Sequence, residues 1–150
     1  MKLQFDKNGC LEPYDIILTD LDILEASLVT NEYRRMIFED YLMFLENLKQ
    51  LGIGTFYQWI DGSFVTKKYK PNDIDVVTFI EYQAFNKREK LFSELYWNRK
   101  QSKVDSCFVR VYPDDHEFSI RTKYDQVEYL HDFTRDNRNK LEKGIIQINF

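Results

Sequence analysis

The sequence predicts an α+β fold with a central mixed β-sheet flanked by helices, and three observations carry that prediction. One long stretch, Asn31 to Leu51, repeats its apolar residues at three- and four-residue steps, the period of an amphipathic helix. Three runs, Thr55 to Asp61, Asp73 to Ile80 and Lys103 to Tyr112, are rich in β-branched and aromatic types, as strands are. Helical patterns separate these runs, and no linker, repeat or low-complexity tract divides the 150 residues. One domain over residues 1–150 is expected.

Taken in order, Met1 to Asp15 is an irregular lead-in punctuated by Gly9 and Pro13. Thr19 or Asp20 caps a short helix carrying Leu21, Ile23, Leu24 and Leu28. In the long helix Ile37, Tyr41, Phe44, Leu45, Leu48 and Leu51 line one face, and Gly52 ends it through a left-handed backbone. Gly62-Ser63 breaks the first strand, and Ser63 to Lys68 forms a short helix. Asp73 to Ile80 is apolar on both faces beyond its acids, as a strand buried between layers is. Phe85 to Tyr96 is a helix, and Pro113-Asp114-Asp115 closes the strand that ends at Tyr112. Phe118 to Tyr124 favours neither element, Val127 to Phe133 is helical, and Ile145 to Phe150 forms a terminal edge strand.

Composition narrows the classes. Hydrophobic residues at 43% and charged ones at 31% exclude a disordered chain. Aromatics at 16% imply a small core filled with large rings, or else an aromatic partner surface. A net charge of -4 lacks the broad positive field of a non-specific nucleic-acid binder, although a local basic patch could hold a triphosphate or an RNA end. Cys10 and Cys107 match no paired-cysteine metal pattern, and His116 and His131 form no ligand cluster. No stretch approaches membrane-spanning length, so no membrane partner and a cytoplasmic location are expected.

The chemistry concentrates between Gly62 and Asp105. Asp73 and Asp75 are two residues apart on a strand and therefore share a face, with Val77 and Phe79 continuing it. Adjacent carboxylates in a low-dielectric crevice repel, and a divalent cation, a proton or a basic side chain must offset that repulsion. Magnesium accepts carboxylate and triphosphate oxygens together. Gly62 allows a sharp turn close to a ligand, and Ser63 would cap the helix whose amides face an anion. Asp105 opens the next strand and can join the pair if the two strands are neighbours.

Gly62-Ser63-Phe64 followed by Pro71-Asn72-Asp73-Ile74-Asp75-Val76 resembles the signature of the polymerase-β-like nucleotidyltransferase superfamily. The resemblance implies the minimal nucleotidyltransferase fold, phosphate binding at Gly62 and Ser63, and metal binding at Asp73 and Asp75. Asp105 best matches that superfamily's third acid. Phe133 to Arg138 with Lys143-Gly144-Ile145-Ile146 also resembles small bacterial nucleotidyltransferase-like proteins. In size and motif the chain is also similar to the superfamily's small minimal nucleotidyltransferases that act as antitoxins, and that resemblance implies transfer of AMP, from ATP, onto a small helical toxin.

Lys67, Lys68 and Lys70 lie between the turn and the acids, where they could neutralise a departing pyrophosphate. Arg121, Arg138 and Lys143 would close over the nucleotide if the C-terminal part folds back; Arg138 is preferred, because its guanidinium can fork onto two phosphate oxygens. The expectation is a nucleotidyltransferase using two magnesium ions and a nucleoside triphosphate. It would modify a hydroxyl on a protein acceptor, with an RNA end, a small molecule or a non-catalytic antitoxin-type role as alternatives.

Overall fold

A computed structural model describes residues 1–98, 102–136 and 141–150. The chain runs β1 (Gln4–Phe5), β2 (Leu11–Glu12), β3 (Ile16–Thr19), α1 (Leu21–Leu28), α2 (Glu32–Lys49) and β4 (Phe56–Asp61). It continues through β5 (Ile74–Glu81), α3 (Tyr82–Asn86), α4 (Glu89–Asn98), β6 (Val104–Val111) and α5 (Ser119–Phe133). It closes with β7 (Arg135–Asp136), β8 (Leu141–Glu142) and β9 (Ile145–Asn149). The central five-stranded sheet has the order β3-β9-β4-β5-β6. It is mixed: β5 runs parallel to β6 and β3 to β9, whereas β4 is antiparallel to both of its neighbours.

Helices cover both faces. Asn31 caps α2, its side chain accepting from the Arg34 amide at 3.0 Å. The apolar stripe then buries Ile37, Phe38, Tyr41, Phe44, Leu45 and Leu48. That stripe packs in one cluster with Ile60, Ile74, Val76 and Ile80 of the sheet. On the opposite face Trp59, Val77, Phe79, Val109 and Ile145 pack with Tyr129, Leu130 and Phe133 of α5. Tyr41 Oη donates to Gln58 Oε1 at 2.6 Å, and Gln58 Nε2 donates to Thr78 Oγ1 at 3.0 Å. This chain of bonds ties α2 to two strands inside an otherwise apolar layer.

Four local expectations change. The lead-in contains the β1–β2 hairpin, organised by the Asp6 carboxylate, which accepts from the Asn8 and Cys10 amides at 2.7 and 3.0 Å. The last strand is interior, flanked by β3 and β4; consecutive Ile145 and Ile146 are both buried, which suits a strand covered on both faces. The Phe85 to Tyr96 helix is two helices, with Arg88 between them donating to the carbonyls of Leu51, Gly52 and Ala84. The stretch from Phe118 joins the helix after it, so α5 is continuous from Ser119. Its outward face carries exposed Ile120, Tyr124 and Val127, which blurs the amphipathic period. Among the described residues, no helix is long and apolar enough to cross a membrane.

Candidate carboxylate site at the strand ends

Three aspartates stand in one row across the sheet. Asp61 at the end of β4 is the register partner of Asp75 near the start of β5, and Asp75 is the partner of Asp105 near the start of β6. Register partners share a face, with neighbouring strands about 4.8 Å apart. Asp73 precedes β5 by one residue and shares parity with Asp75. The neighbouring-strand condition for Asp105 is therefore met. Asp61 is the member sequence reasoning missed; its signal was a fourth acid, closing the strand immediately before Gly62.

The turn after β4 is shaped around Asp75. Gly62 adopts φ 81°, and a Cβ built there would lie 1.8 Å from Asp75 Oδ2. Only glycine fits both the left-handed backbone and the approaching carboxylate. Gly62→Ala is expected to cost about 2–3 kcal/mol in a urea titration, from backbone strain and displacement of Asp75. An unchanged midpoint would mean that the turn relaxes freely.

Ser63 departs from its expected role as a helix cap. Ser63–Val65 is a single 3-10 turn, too short to present a helix N-terminus, and its cap position, Gly62, offers no side chain. The Ser63 carbonyl instead accepts from the Thr66 amide at 3.3 Å and from Thr66 Oγ1 at 2.7 Å.

Asp61 is held by Lys143, whose Nζ lies 2.8 Å from Asp61 Oδ1, with the two side chains only 8% and 9% exposed. A charge this buried requires a partner. Lys143 lies in the two-residue link between β8 and β9, where its amide donates to the Thr134 carbonyl at 2.9 Å. It was expected to close over a nucleotide; here it is buried against an acid of the row.

The electrostatic consequence falls on Asp75. Burial first, and then the charges of Asp73, Asp61 and Asp105, push its pKa up to about 6, with Lys143 opposing. The row is thus crowded with negative charge that one lysine offsets only in part.

The loop after the turn is pinned from below by Arg34, itself only 2% exposed. Its guanidinium donates to the carbonyls of Leu28, Phe64, Thr66 and Lys68. Lys67 faces the N-terminal hairpin, with its ammonium 4.3 Å from the Phe5 ring centre and its amide bonded to the Gly9 carbonyl. The Lys70 ammonium lies 4.4 Å from the Tyr33 ring centre. Lys68 is exposed and contributes its carbonyl to Arg34.

Arg110 points to the opposite face, as strand parity requires, where it meets Asn86 and Glu89. Arg121 lies over Phe118 at the start of α5, beyond the far end of β6. Arg138 falls outside the described residues.

Among the described residues, no group of three or more His, Cys, Asp and Glu side chains is already arranged to hold a metal ion. The donors nevertheless suit magnesium in kind. All are carboxylate oxygens, they crowd one edge of the sheet, and Gly62 leaves the backbone beside Asp75 bare of any side chain. Over residues 3–149 the chain matches the model of a family of unknown function (DUF6932). Neither a curated protein nor a solved structure matches it.

Proposed function

The chain belongs to a family of unknown function, DUF6932, and from its own geometry we propose that it is a magnesium-dependent nucleotidyltransferase. One observation carries this reading: Asp75 and Asp105 are register partners beside the Gly62 turn, in a row where burial and then the neighbouring acids raise the Asp75 pKa. Asp73 and Asp75 would hold magnesium, with Asp105 completing the donor set. When bound, the ion would neutralise charge gathering on the phosphate oxygens.

The chain's own residues supply the rest. Gly62, without a side chain, makes room for the Asp75 carboxylate against the turn, and Ser63 follows it in the same turn, where the two would border the phosphates. Asp105 is exposed at the head of β6 and takes the acceptor's proton. The acceptor oxygen then bonds to the α-phosphorus while the α–β bridging bond breaks and pyrophosphate leaves. Positioning and charge complementarity account for most of the expected acceleration.

A protein hydroxyl is the favoured acceptor, and ATP the favoured donor through the superfamily resemblance. The net charge of -4 disfavours a nucleic-acid track. Ile120, Tyr124 and Val127, exposed by 72%, 66% and 68%, form an apolar stripe on α5. The same stripe favours the second reading, a binding protein without catalysis.

Incubating the protein with magnesium, each α-labelled nucleoside triphosphate and host extract separates these readings. Label on a protein band supports protein modification, and label on RNA selects end addition. No transfer from any triphosphate leaves the binding protein.

A further inference from the structure

Helix α5 buries one face and leaves the other open. Its inner face packs Tyr129, Leu130 and Phe133 onto the sheet, and Thr122 Oγ1 accepts from the Tyr112 amide at 2.8 Å. Outward, Ile120, Tyr124, Val127 and His131 are all exposed and follow one another at steps of four, three and four residues. Those steps draw a narrow seam along one side of the helix, the spacing by which two helices interlock. An open pocket beside the seam, lined by Ile120, Arg121, Tyr124 and Asp125, gives room for a partner's side chain. Because the helix is already docked on the sheet, covering the seam requires little further ordering.

The charges indicate what covers it. Arg121 stands in the first turn of α5, where no acid lies, and Asp132 in the last, with Glu128 one turn earlier. This is the reverse of the order that the helix dipole favours, so it does not serve the lone helix. All three are exposed, and at about 3.6 residues per turn they fall on the same flank of the seam. Asp132 lies 3.5 Å from His131 Nδ1 in its own chain, which leaves Glu128 as the principal acid of that flank.

A second copy of the chain, turned end for end about a two-fold axis between Tyr124 and Val127, matches both features. Tyr124 then meets Val127 of the second copy. Arg121 falls between Glu128 and Asp132 of the second copy, about 3 Å along the axis from each. The two-fold repeats that contact at the other end. Parallel pairing would instead collect both copies of Arg121 at one end and both of Asp132 at the other.

We infer that α5 is the face through which two copies of this chain associate, antiparallel, as an isologous dimer. The inference does not depend on the metal-dependent reading and holds equally for a catalytic or a purely binding chain. A single helix pair covers little area, so the association is weak and reversible.

Sedimentation velocity over a dilution series up to about 0.5 mM tests this. Wild type should move from monomer to dimer. Tyr124→Glu and Val127→Glu, both at positions open to solvent, should stay folded by circular dichroism and remain monomeric throughout. Arg121→Glu and Glu128→Arg should each weaken association at least about tenfold, because each sets like charges together at both ends. Mixed in equal amounts, these two should pair to within about threefold of wild type, since every antiparallel contact again joins opposite charges.

A monomeric wild type overturns the inference and leaves the stripe to another protein. Dimers that survive both seam substitutions overturn it as well. Charge variants that fail to pair on mixing do the same, and that result stands even where a seam variant proves unstable.

Discussion

Replacing Asp75 with asparagine should abolish nucleotidyl transfer while making the protein more stable at neutral pH. The expected loss of transfer is on the order of 10³-fold, since on the proposed reading the substitution would remove a charged donor facing the transferring phosphate. The stability gain follows from linkage. Asp75 has its pKa raised to about 6 by burial and by Asp73, Asp61 and Asp105. Between the ordinary carboxylate value and about pH 6, the folded chain therefore keeps a proton that the unfolded chain has released.

Wild-type stability must fall as pH rises through that window, and the full cost stands above it. Asparagine has no charge to crowd. In chelator-containing buffer at pH 7.5 the variant should gain about 1–2 kcal/mol, less than the whole shift implies because the carboxylate is partly solvated. Below about pH 4 the two proteins should differ little. Urea titrations at several pH values check this. A variant less stable than wild type at pH 7.5 would show that burial and like-charge crowding do not disfavour the Asp75 carboxylate.

Arg34→Met should be the most damaging single substitution outside the apolar core, costing about 3–5 kcal/mol in a urea titration. The guanidinium serves four carbonyls, those of Leu28, Phe64, Thr66 and Lys68, at distances between 2.5 and 3.1 Å. Methionine fills similar space yet leaves buried acceptors without their donor. Arg34→Lys should recover only part of the loss, because an ammonium cannot reproduce the planar fork. The lost bonds border the turn at Gly62, so either variant should also weaken transfer. A loss of less than about 1 kcal/mol in Arg34→Met would mean that water replaces the guanidinium readily.

Arg34 also marks a limit of pattern reading. It lies three residues before Ile37 on the same helical face, so its place in the stripe was legible as a charge on an apolar face. Its partners were not, because they are backbone carbonyls of α1's end and of a loop some thirty residues onward. Asp61 and Lys143 are more extreme, separated by most of the chain and joined only when β9 enters the sheet beside β4. Lys67 looked like a phosphate ligand from its place in the loop, yet the N-terminal hairpin holds it, and that hairpin is built from two-residue strands too short to show a period.

The amino-acid order by itself determined the α+β class, the α2 stripe and the three central strands. These follow from local periodicity, which the backbone enforces wherever the element forms. Tertiary structure alone decided which strands are neighbours, and hence that Asp61, Asp75 and Asp105 share a row. It also decided that β9 is interior and that Lys143 is a buried counter-charge. Strand order and burial are set by the packing of distant segments, and no local period encodes which partner a segment will find.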